Sequence, residues 1–274
     1  MQPDRPPAAP NRTLLEVRGL TMDFGGIKAL DHFDLRIREG EIAALIGPNG
    51  AGKTTFFNCL TGMYAPTAGD MLFFLPGRKT VRLNGLKPNK VTEQGLARTF
   101  QNIRLFPNMT VLENVMIGRH CRTRARVLGA VFRDPRTRRE EREIVRRSYE
   151  IIEKIGLADQ VNEFARNLPY GAQRRLEIAR ALATDPVLLL LDEPAAGMNP
   201  RETRMLDELI CRIRDEGLSI LLIEHDMKLV MSLSDHIFVM DYGKKIAEGP
   251  PPEVRRNPQV IRAYLGEDIV HDHA

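Results

Sequence analysis

Residues 47–54 have the composition and spacing of a phosphate-binding loop. The eight residues, GPNGAGKT, carry glycine at the first, fourth and sixth positions and end in lysine and threonine. Glycines let the backbone turn tightly and bring N–H groups around an oxyanion, while the lysine reaches the β and γ phosphates and the hydroxyl holds Mg²⁺. We therefore predict a nucleotide site formed by Gly47, Pro48, Asn49, Gly50, Ala51, Gly52, Lys53, Thr54 and Thr55.

The residues on either side of this loop predict the elements that hold it. Residues 41–46 form a short, mostly apolar stretch typical of a buried strand, and residues 54–60 have the pattern of a helix that leaves the loop. A helix in that position aims its N-terminal amides and its dipole at the phosphates. The alternative, a glycine-rich surface turn with an incidental lysine, leaves the order of strand, loop and helix unexplained.

A second chemical element is the carboxylate pair Asp192 and Glu193, which follows the apolar run of residues 187–191. A buried strand that ends in a carboxylate brings an Mg²⁺ ligand beside a phosphate loop. The next carboxylate then lies at the edge of the γ-phosphate site, where it can polarise a water for in-line attack. The alternative is a strand that ends in a polar turn, and the phosphate loop in the same chain favours the functional interpretation.

The order of elements predicts an α/β fold that contains a helical insert. Strand and helix patterns alternate up to about residue 83 and again from residue 187, whereas residues 110–183 have a helical pattern. We expect a single domain over residues 13–266, with a helical subdomain inserted at about 103–178. Residues 1–12 are expected to be a disordered leader, and residues 267–274 a flexible tail.

Composition argues against several classes of protein. The apolar runs of this 274-residue chain are far shorter than the roughly 20 residues that a membrane span requires. The N-terminus is rich in proline and alanine and lacks the apolar segment of a signal peptide. Cys59, Cys121 and Cys211 have no metal-binding spacing and are too few for a disulfide framework, which indicates a reducing cytoplasm.

A basic segment, residues 119–147, stands out in a chain whose net charge is only +4. Its arginines are Arg119, Arg122, Arg124, Arg126, Arg133, Arg136, Arg138, Arg139, Arg142, Arg146 and Arg147. Three interpretations stay open: a solvated helix face paired with Glu140, Glu141 and Glu143, a surface near anionic lipid headgroups, or a nucleic-acid contact. Nucleic acid is not the expected partner, because no stacking aromatic residues are interleaved with the arginines.

Residues 168–182, LPYGAQRRLEIARAL, resemble the signature motif of the ATPases of ABC transporters, and the other motifs of that family fall in order around it. Gln101 matches the Q-loop, residues 196–199 match the D-loop, and His225 matches the switch histidine. Phe24 stands where the family places an aromatic ring that stacks on adenine. The resemblance covers about residues 14–266 and implies a P-loop NTPase fold: a RecA-like core, an antiparallel β-subdomain and an inserted α-helical subdomain.

The same resemblance implies ATP and Mg²⁺ as cofactors and a role for each motif. The implied catalytic residues are Glu193, His225 and Gln101, and the implied Mg²⁺ ligands, direct or through water, are Thr54, Gln101 and Asp192. Phe24 would stack on the adenine of this chain's own ATP. Tyr170 and Gly171, in the signature, would contact the ATP of the opposing subunit, because ATP in this family bridges two subunits.

Four stretches narrow the resemblance to the ATP-binding subunits of bacterial high-affinity importers of branched-chain amino acids: residues 97–106, 174–180, 194–200 and 264–266. It implies a peripheral motor at the cytoplasmic face of the inner membrane, paired with a LivF-like second ATPase subunit or a second copy. Two integral-membrane permease subunits, fed by a periplasmic substrate-binding protein, would lie above the pair.

Two other functions stay open from the residues alone. One is the ATPase of another ABC system, such as lipopolysaccharide export. The other is a soluble ABC ATPase that acts on nucleic acid or ribosomes, although that class generally carries two cassettes joined by a charged linker. This chain contains one of each motif.

The chain departs from the family pattern in its signature and D-loop. Pro169, Tyr170, Gly171 and Ala172 stand where most members have Ser-Gly-Gly-Gln, so the serine hydroxyl that would bond the γ-phosphate is lost. The Gly171 N–H and the dipole of the helix expected to begin there remain, so we expect anion binding to weaken rather than vanish. Asn199 replaces the D-loop aspartate and keeps an acceptor without the charge.

Overall fold

The computed structural model describes residues 12–75, 77, 79–119 and 135–271. Its strands are β1 (Thr13–Phe24), β2 (Ile27–Arg38), β3 (Ile42–Ile46), β4 (Ala68–Phe73), β5 (Val81–Arg82), β6 (Leu96–Arg98), β7 (Leu188–Asp192), β8 (Ser219–Ile223), β9 (His236–Asp241) and β10 (Lys244–Gly249). Its α-helices are α1 (Lys53–Leu60), α2 (Pro88–Glu93), α3 (Val111–Arg119), α4 (Pro135–Lys154), α5 (Tyr170–Leu182), α6 (Pro200–Asp215), α7 (Met227–Leu233), α8 (Pro251–Arg256) and α9 (Pro258–His271).

Several predicted features lie outside the described residues. They are residues 1–11 of the expected leader, Cys121 and the rest of residues 120–134 in the basic segment, and the last three residues of the expected tail. Residues 267–271, also assigned to the tail, belong to α9.

A six-stranded mixed sheet forms the centre of the fold, in the order β10-β9-β3-β8-β7-β6. Its neighbouring strands are parallel except for β9 and β10. Side chains alternate between two cores: Leu188 and Leu190 enter one, and Leu189 and Leu191 enter the other. A strand buried on both faces has a continuous apolar run, which is the pattern that predicted β3 and β7.

A smaller antiparallel sheet, in the order β2-β1-β4-β5, covers the side of the molecule that contains α1. Phe33 of β2 packs against Phe56 of α1 with ring centroids 5.0 Å apart. Strands β4 and β5 pair antiparallel at one edge of this sheet. The mixed sheet, the antiparallel sheet and the helices between residues 111 and 182 confirm the expected α/β class with its two subdomains.

The helical insert begins at a capping box formed by Thr110 and Glu113. Thr110 N and Oγ1 donate to Glu113 Oε2 at 2.8 and 2.9 Å, and the Glu113 N–H donates back to Thr110 Oγ1 at 3.2 Å. Asn114, one turn into α3, is fully buried. Its Oδ1 accepts from Phe106 N at 2.9 Å, and its Nδ2 donates to Phe106 O at 3.1 Å. Asn114 therefore fixes the segment after Gln101 to α3.

The described part of the basic segment carries its charge in pairs along α4. Arg146 bonds Glu143 and Glu150, and Arg147 bonds Glu143 at 3.1 Å, all on an exposed face. The pairs with Glu143 are of the kind that the solvated-face interpretation predicts, and Glu150 is a further partner that it did not name. In the described ranges, no helix is both long enough and apolar enough to cross a membrane.

Candidate nucleotide-binding site

Three parallel strands end together at one edge of the large sheet. Leu45 of β3 lies beside Ile223 of β8, and Ile223 lies beside Asp192 of β7. The phosphate loop after β3, Glu193 after β7 and His225 after β8 therefore emerge at the same edge. In open α/β sheets, ligands bind outside the carboxyl ends of the strands.

Two glycines of the phosphate loop are required by lack of space. A methyl group at Gly47 would lie 2.0 Å from Met240 O in β9, and one at Gly52 would lie 2.4 Å from Ala29 O in β2. Gly52 also has a φ of 109°, which glycine adopts without strain. Because one contact comes from each sheet, both sheets fix the path of the loop.

The helix that follows the loop presents an uncapped N-terminus. Its N-cap is Gly52, and no side chain caps the first turn, so its N–H groups and dipole form a ready anion site. Lys53 Nζ donates to the carbonyls of Gly47 and Pro48 at 2.6 and 2.8 Å. Lys53 thus lies against the loop that it is expected to serve, and Thr54 beside it is exposed.

Asp192, the expected Mg²⁺ ligand, is paired with an arginine that sequence reasoning did not single out. Arg98 Nη2 donates to Asp192 Oδ2 at 2.7 Å, and the two side chains are only 8% and 4% exposed. Arg98 ends β6, three residues before Gln101, and its Nη1 donates to Asn58 Oδ1 of α1 at 2.6 Å. The only sequence signal for this contact was an arginine that directly follows two apolar residues, Leu96 and Ala97.

Two of the expected catalytic residues are in contact. Gln101 Nε2 donates to Glu193 Oε2 at 2.9 Å. Glu193 has a φ of 46°, in the left-handed region, where a non-glycine residue is strained by about 1–2 kcal/mol. Its N–H donates to Ile223 O at 2.9 Å and holds it there. Backbone strain of this kind concentrates at functional sites.

The signature helix holds the backbone around Gln101. Arg174 of α5 is buried, and it donates from Nη1 to Phe100 O at 2.8 Å and from Nη2 to Gln101 O. Its charge is opposed by Glu177 at 3.3 Å, and burial raises the pKa of that carboxyl. The motif expected to serve the partner's nucleotide therefore also positions Gln101 in its own chain.

His225 leaves the sheet edge with 66% of its side chain exposed. Glu224 beside it is buried and accepts from the N–H groups of Ala195 and His225 at 2.9 and 3.2 Å. Burial raises the pKa of Glu224. Glu224 thus joins the turn after β8 to the residues that follow Glu193.

Phe24 lies at the end of β1 in the smaller sheet and is 46% exposed. Tyr64, in the turn after α1, packs edge to face against it, with centroids 5.5 Å apart and planes at 81°. This is a favoured geometry for two aromatic rings. No motif singles out Tyr64, which is recognised only from the contact.

The signature residues contact the D-loop of the same chain. Pro169 is the N-cap of α5, so the helix begins at Tyr170, one residue earlier than expected. Tyr170 Oη donates to Ala196 O at 3.0 Å. A methyl group at Gly171 would lie 2.5 Å from Glu202 Oε1, so the Glu202 carboxylate packs against the first turn of α5.

The side-chain oxygen of Asn199 is already hydrogen-bonded at the start of α6. Asn199 Oδ1 accepts from the N–H groups of Arg201 and Glu202, both at 3.0 Å. The Glu202 side chain accepts in return from Asn199 N at 3.1 Å and completes a capping box. Asn199 is therefore a helix cap in this chain.

The donor atoms at the sheet edge suit Mg²⁺ carried with a nucleotide. In the part of the chain that the structure describes, no group of three or more His, Cys, Asp or Glu side chains could hold a metal. Thr54, Gln101 and Asp192 instead offer a hydroxyl, an amide oxygen and a carboxylate. Mg²⁺ prefers such hard oxygen donors, together with water and substrate phosphates.

Comparison with known proteins finds close relatives. A family model described as ABC transporter matches residues 30–196, and one described as branched-chain amino acid ATP-binding cassette transporter matches residues 244–270. LivG of Salmonella typhimurium, named a high-affinity branched-chain amino acid transport ATP-binding protein, is 50% identical over 258 residues, covering 94% of this chain and 99% of LivG. BraF of Pseudomonas aeruginosa carries the same description and is 49% identical with the same coverage. A crystallised ATP-binding cassette of an ABC transporter, in its ADP conformation, has a TM-score of 0.79 at 31% identity, covering 93% of this chain and 99% of that chain.

Proposed function

Since the chain belongs to the ABC transporter family, within the group of ATP-binding proteins that contains LivG and BraF, we propose that it powers the import of branched-chain amino acids. It is an ATPase whose turnover is coupled to transport. The observation that carries the substrate is the 50% identity to LivG over 94% of the chain.

ATP binding uses the phosphate loop and the exposed ring at the end of β1. The amides of residues 50–54 and the Lys53 ammonium cradle the phosphates, which replace the loop carbonyls as partners of Lys53 Nζ. Phe24 stacks on the adenine, a contact worth about 1–3 kcal/mol with little discrimination between bases. The edge-to-face contact with Tyr64 helps to hold the Phe24 ring in place.

Hydrolysis depends on groups that the sheet edge brings together. Thr54, Gln101 and Asp192 would hold Mg²⁺ directly or through water, and the ion would supply positive charge against the phosphates. Glu193 polarises the attacking water, and its contact with Gln101 orients it for that task. His225, exposed at the same edge, contacts the γ-phosphate and reports its presence.

The signature end acts on a second nucleotide. Tyr170 and Gly171 face the ATP of an opposing ATPase subunit, which is a related chain or a second copy. Binding of the γ-phosphate closes the pair, and hydrolysis releases it, as in other phosphate-controlled switches. The helical subdomain carries this motion to two integral-membrane permease subunits, so that the chain works as a peripheral subunit at the cytoplasmic face of the inner membrane.

Uptake in a deletion strain tests the substrate. Removing the gene should reduce high-affinity uptake of labelled leucine, isoleucine and valine to background, and the unaltered chain should restore it. The Glu193→Gln variant should not restore uptake, and arginine uptake should be unaffected throughout. Unchanged uptake of all three branched-chain amino acids in the deletion strain would contradict the proposed substrate.

Co-purification tests the assignment to a transport motor. The tagged chain should isolate two integral-membrane proteins in stoichiometric amounts from detergent extracts. Isolation of ribosomes or nucleic acid instead would favour the soluble class of ATPase.

A further inference from the structure

The carboxylate expected to hold Mg²⁺, that of Asp192, is part of a buried ion pair. Arg98 Nη2 and Asp192 Oδ2 are 2.7 Å apart, with both side chains less than a tenth exposed. Taking two charges out of water is expensive, and replacing such a pair with apolar residues is often neutral or stabilising. The pair also leaves Arg98 Nε buried without a partner among the described residues. Stability alone is therefore a weak reason for this arrangement.

The guanidinium of Arg98 contacts three further side chains. It lies 5.4 Å from the ring centroids of both Phe57 and Phe100, and its Nη1 donates to Asn58 Oδ1 at 2.6 Å. Phe57 and Asn58 belong to α1, the helix that leaves the phosphate loop. A planar guanidinium fixed in this way presents its second nitrogen to Asp192 in one orientation.

This geometry constrains how Asp192 can meet a metal. Because Oδ2 is bonded to Arg98, the orientation of the carboxylate is restrained, and Oδ1 would be the oxygen left for the ion or for one of its waters. Mg²⁺ demands near-ideal octahedral geometry and is usually bound by one or two carboxylates alongside water and phosphate. Partners that orient a ligating carboxylate commonly change metal affinity or activity 10- to 100-fold when they are lost.

We propose that Arg98 is a positioning residue for the Mg²⁺ of the nucleotide site and acts by orienting Asp192. The proposal rests on the proposed function, in which Asp192 is a Mg²⁺ ligand. Arg98 touches neither the nucleotide nor the ion. The contact of Arg98 with Asn58 fixes the position of the Asp192 carboxylate relative to α1, and therefore relative to the phosphate loop that α1 follows.

The test separates the metal from the nucleotide. The full chain is titrated with a fluorescent ATP analogue, first in EDTA and then at increasing Mg²⁺ concentration, and melting curves check that each variant is folded. Arg98→Gln should bind the analogue normally in EDTA but need at least about 10-fold more Mg²⁺ for half of the metal-dependent change. Arg98→Lys keeps the positive charge and one donor nitrogen. This variant should need less Mg²⁺ than Arg98→Gln.

Two further variants make the result specific. Arg104 stacks on the same Phe100 ring at 4.4 Å without bonding Asp192, so Arg104→Met should leave the Mg²⁺ requirement unchanged. Asp192→Asn tests the proposed function itself and should raise the requirement by at least as much as Arg98→Gln.

Each outcome decides between the proposals. If Asp192→Asn raises the Mg²⁺ requirement and neither Arg98 variant does, Arg98 has no positioning role and the function stands. If Arg98 variants weaken binding equally in EDTA and in Mg²⁺, Arg98 is structural and the inference is overturned. If Asp192→Asn leaves the Mg²⁺ requirement unchanged, the assignment of Asp192 is wrong, and so is the inference.

Discussion

The phosphate-loop end and the signature end of this chain both place a helix N-terminus where a phosphate is expected, but they surround it differently. At α1 the flanking residue is Gly52, no side chain caps the turn, and Lys53 lies against the loop. At α5 the Glu202 carboxylate packs beside Gly171, and the Tyr170 hydroxyl is bonded to the D-loop carbonyl of Ala196. One end is prepared for an anion, whereas the other carries a negative charge of its own.

In the proposed pair of ATPase subunits, this contrast predicts that the two nucleotides are held unequally. ATP on this chain's own loop would meet Lys53, Gln101 and Glu193. The partner's ATP would meet a signature without the serine hydroxyl and with a carboxylate nearby, which would reduce the favourable effect of the helix dipole on phosphate. We expect the signature end to be used more for positioning Gln101, through Arg174, than for binding phosphate.

The largest effect is expected from Lys53→Ala, which removes the cation at the phosphate-loop end. ATP binding should weaken at least about 100-fold, because hydrogen bonds to charged groups contribute ~1.5–3 kcal/mol each. Calorimetric titration of the full chain measures this loss. Lys90→Ala, on the distant helix α2, is the matched control and should bind normally.

The melting temperature of nucleotide-free Lys53→Ala should change by less than about 4 °C, since Lys53 is only partly buried and its bonds to the loop carbonyls lie outside the hydrophobic cores. Collapse of the fold would instead mean that Lys53 serves structure, and the contrast between the two ends would fail.

Glu193→Gln tests whether the phosphate-loop end is also the hydrolytic end. The amide can still accept from Gln101 but cannot act as a base, so hydrolysis should slow at least ~10²-fold while MgATP binds normally. Single-turnover measurements in the reconstituted transporter give the rate, and the ATP-bridged pair should persist longer. Near-normal turnover would remove Glu193 from the catalytic role.

Pro169→Ser tests the comparison at the signature end. A serine at the N-cap of α5 restores the hydroxyl and should tighten ATP at the partner's site by about 0.5–1.5 kcal/mol, or up to ~3 if the anionic acceptor dominates. The measurement is a pair in which only one phosphate-loop lysine at a time is intact, titrated with a fluorescent ATP analogue. Stronger binding only where Lys53 is the surviving lysine would refute the assignment of the signature to the partner's ATP.

Glu202→Gln should give the smallest effect and isolates the charge beside Gly171. Glutamine preserves the capping box with Asn199, so the helix start is kept while the carboxylate is removed. ATP at the partner's site should tighten by about 0.3–1 kcal/mol, the usual contribution of one charge at a helix terminus. The same single-lysine pairs measure it, and a gain that grows as salt is lowered would identify the cause as electrostatic.

The features that sequence reasoning predicted are those with a local signature. Residues 42–46, the glycine loop and α1 are contiguous, and the order of an apolar run, special turn residues and a helix carries its own geometry. The same holds for Asp192 and Glu193, which follow the apolar run that forms β7. Strand β6 was not predicted, because its three residues are too few to show the alternation of a strand.

The features that sequence reasoning missed are contacts between distant segments. Arg98 and Asp192 are 94 residues apart, and only the pairing of β6 with β7 brings them together. Tyr64 reaches Phe24 because the smaller sheet packs over α1, and Glu202 meets Gly171 because α6 starts beside α5. Such encounters are set by tertiary packing, which composition and spacing do not encode locally.

Asn114 has a consequence for amide hydrogen exchange. The Phe106 amide is bonded to a side chain that belongs to α3, so it exchanges only when the segment detaches from that helix. Its protection factor should therefore match those of α3 rather than those of an exposed loop. Matching protection factors at Phe106 and across α3 would show that the segment after Gln101 opens together with the helical subdomain.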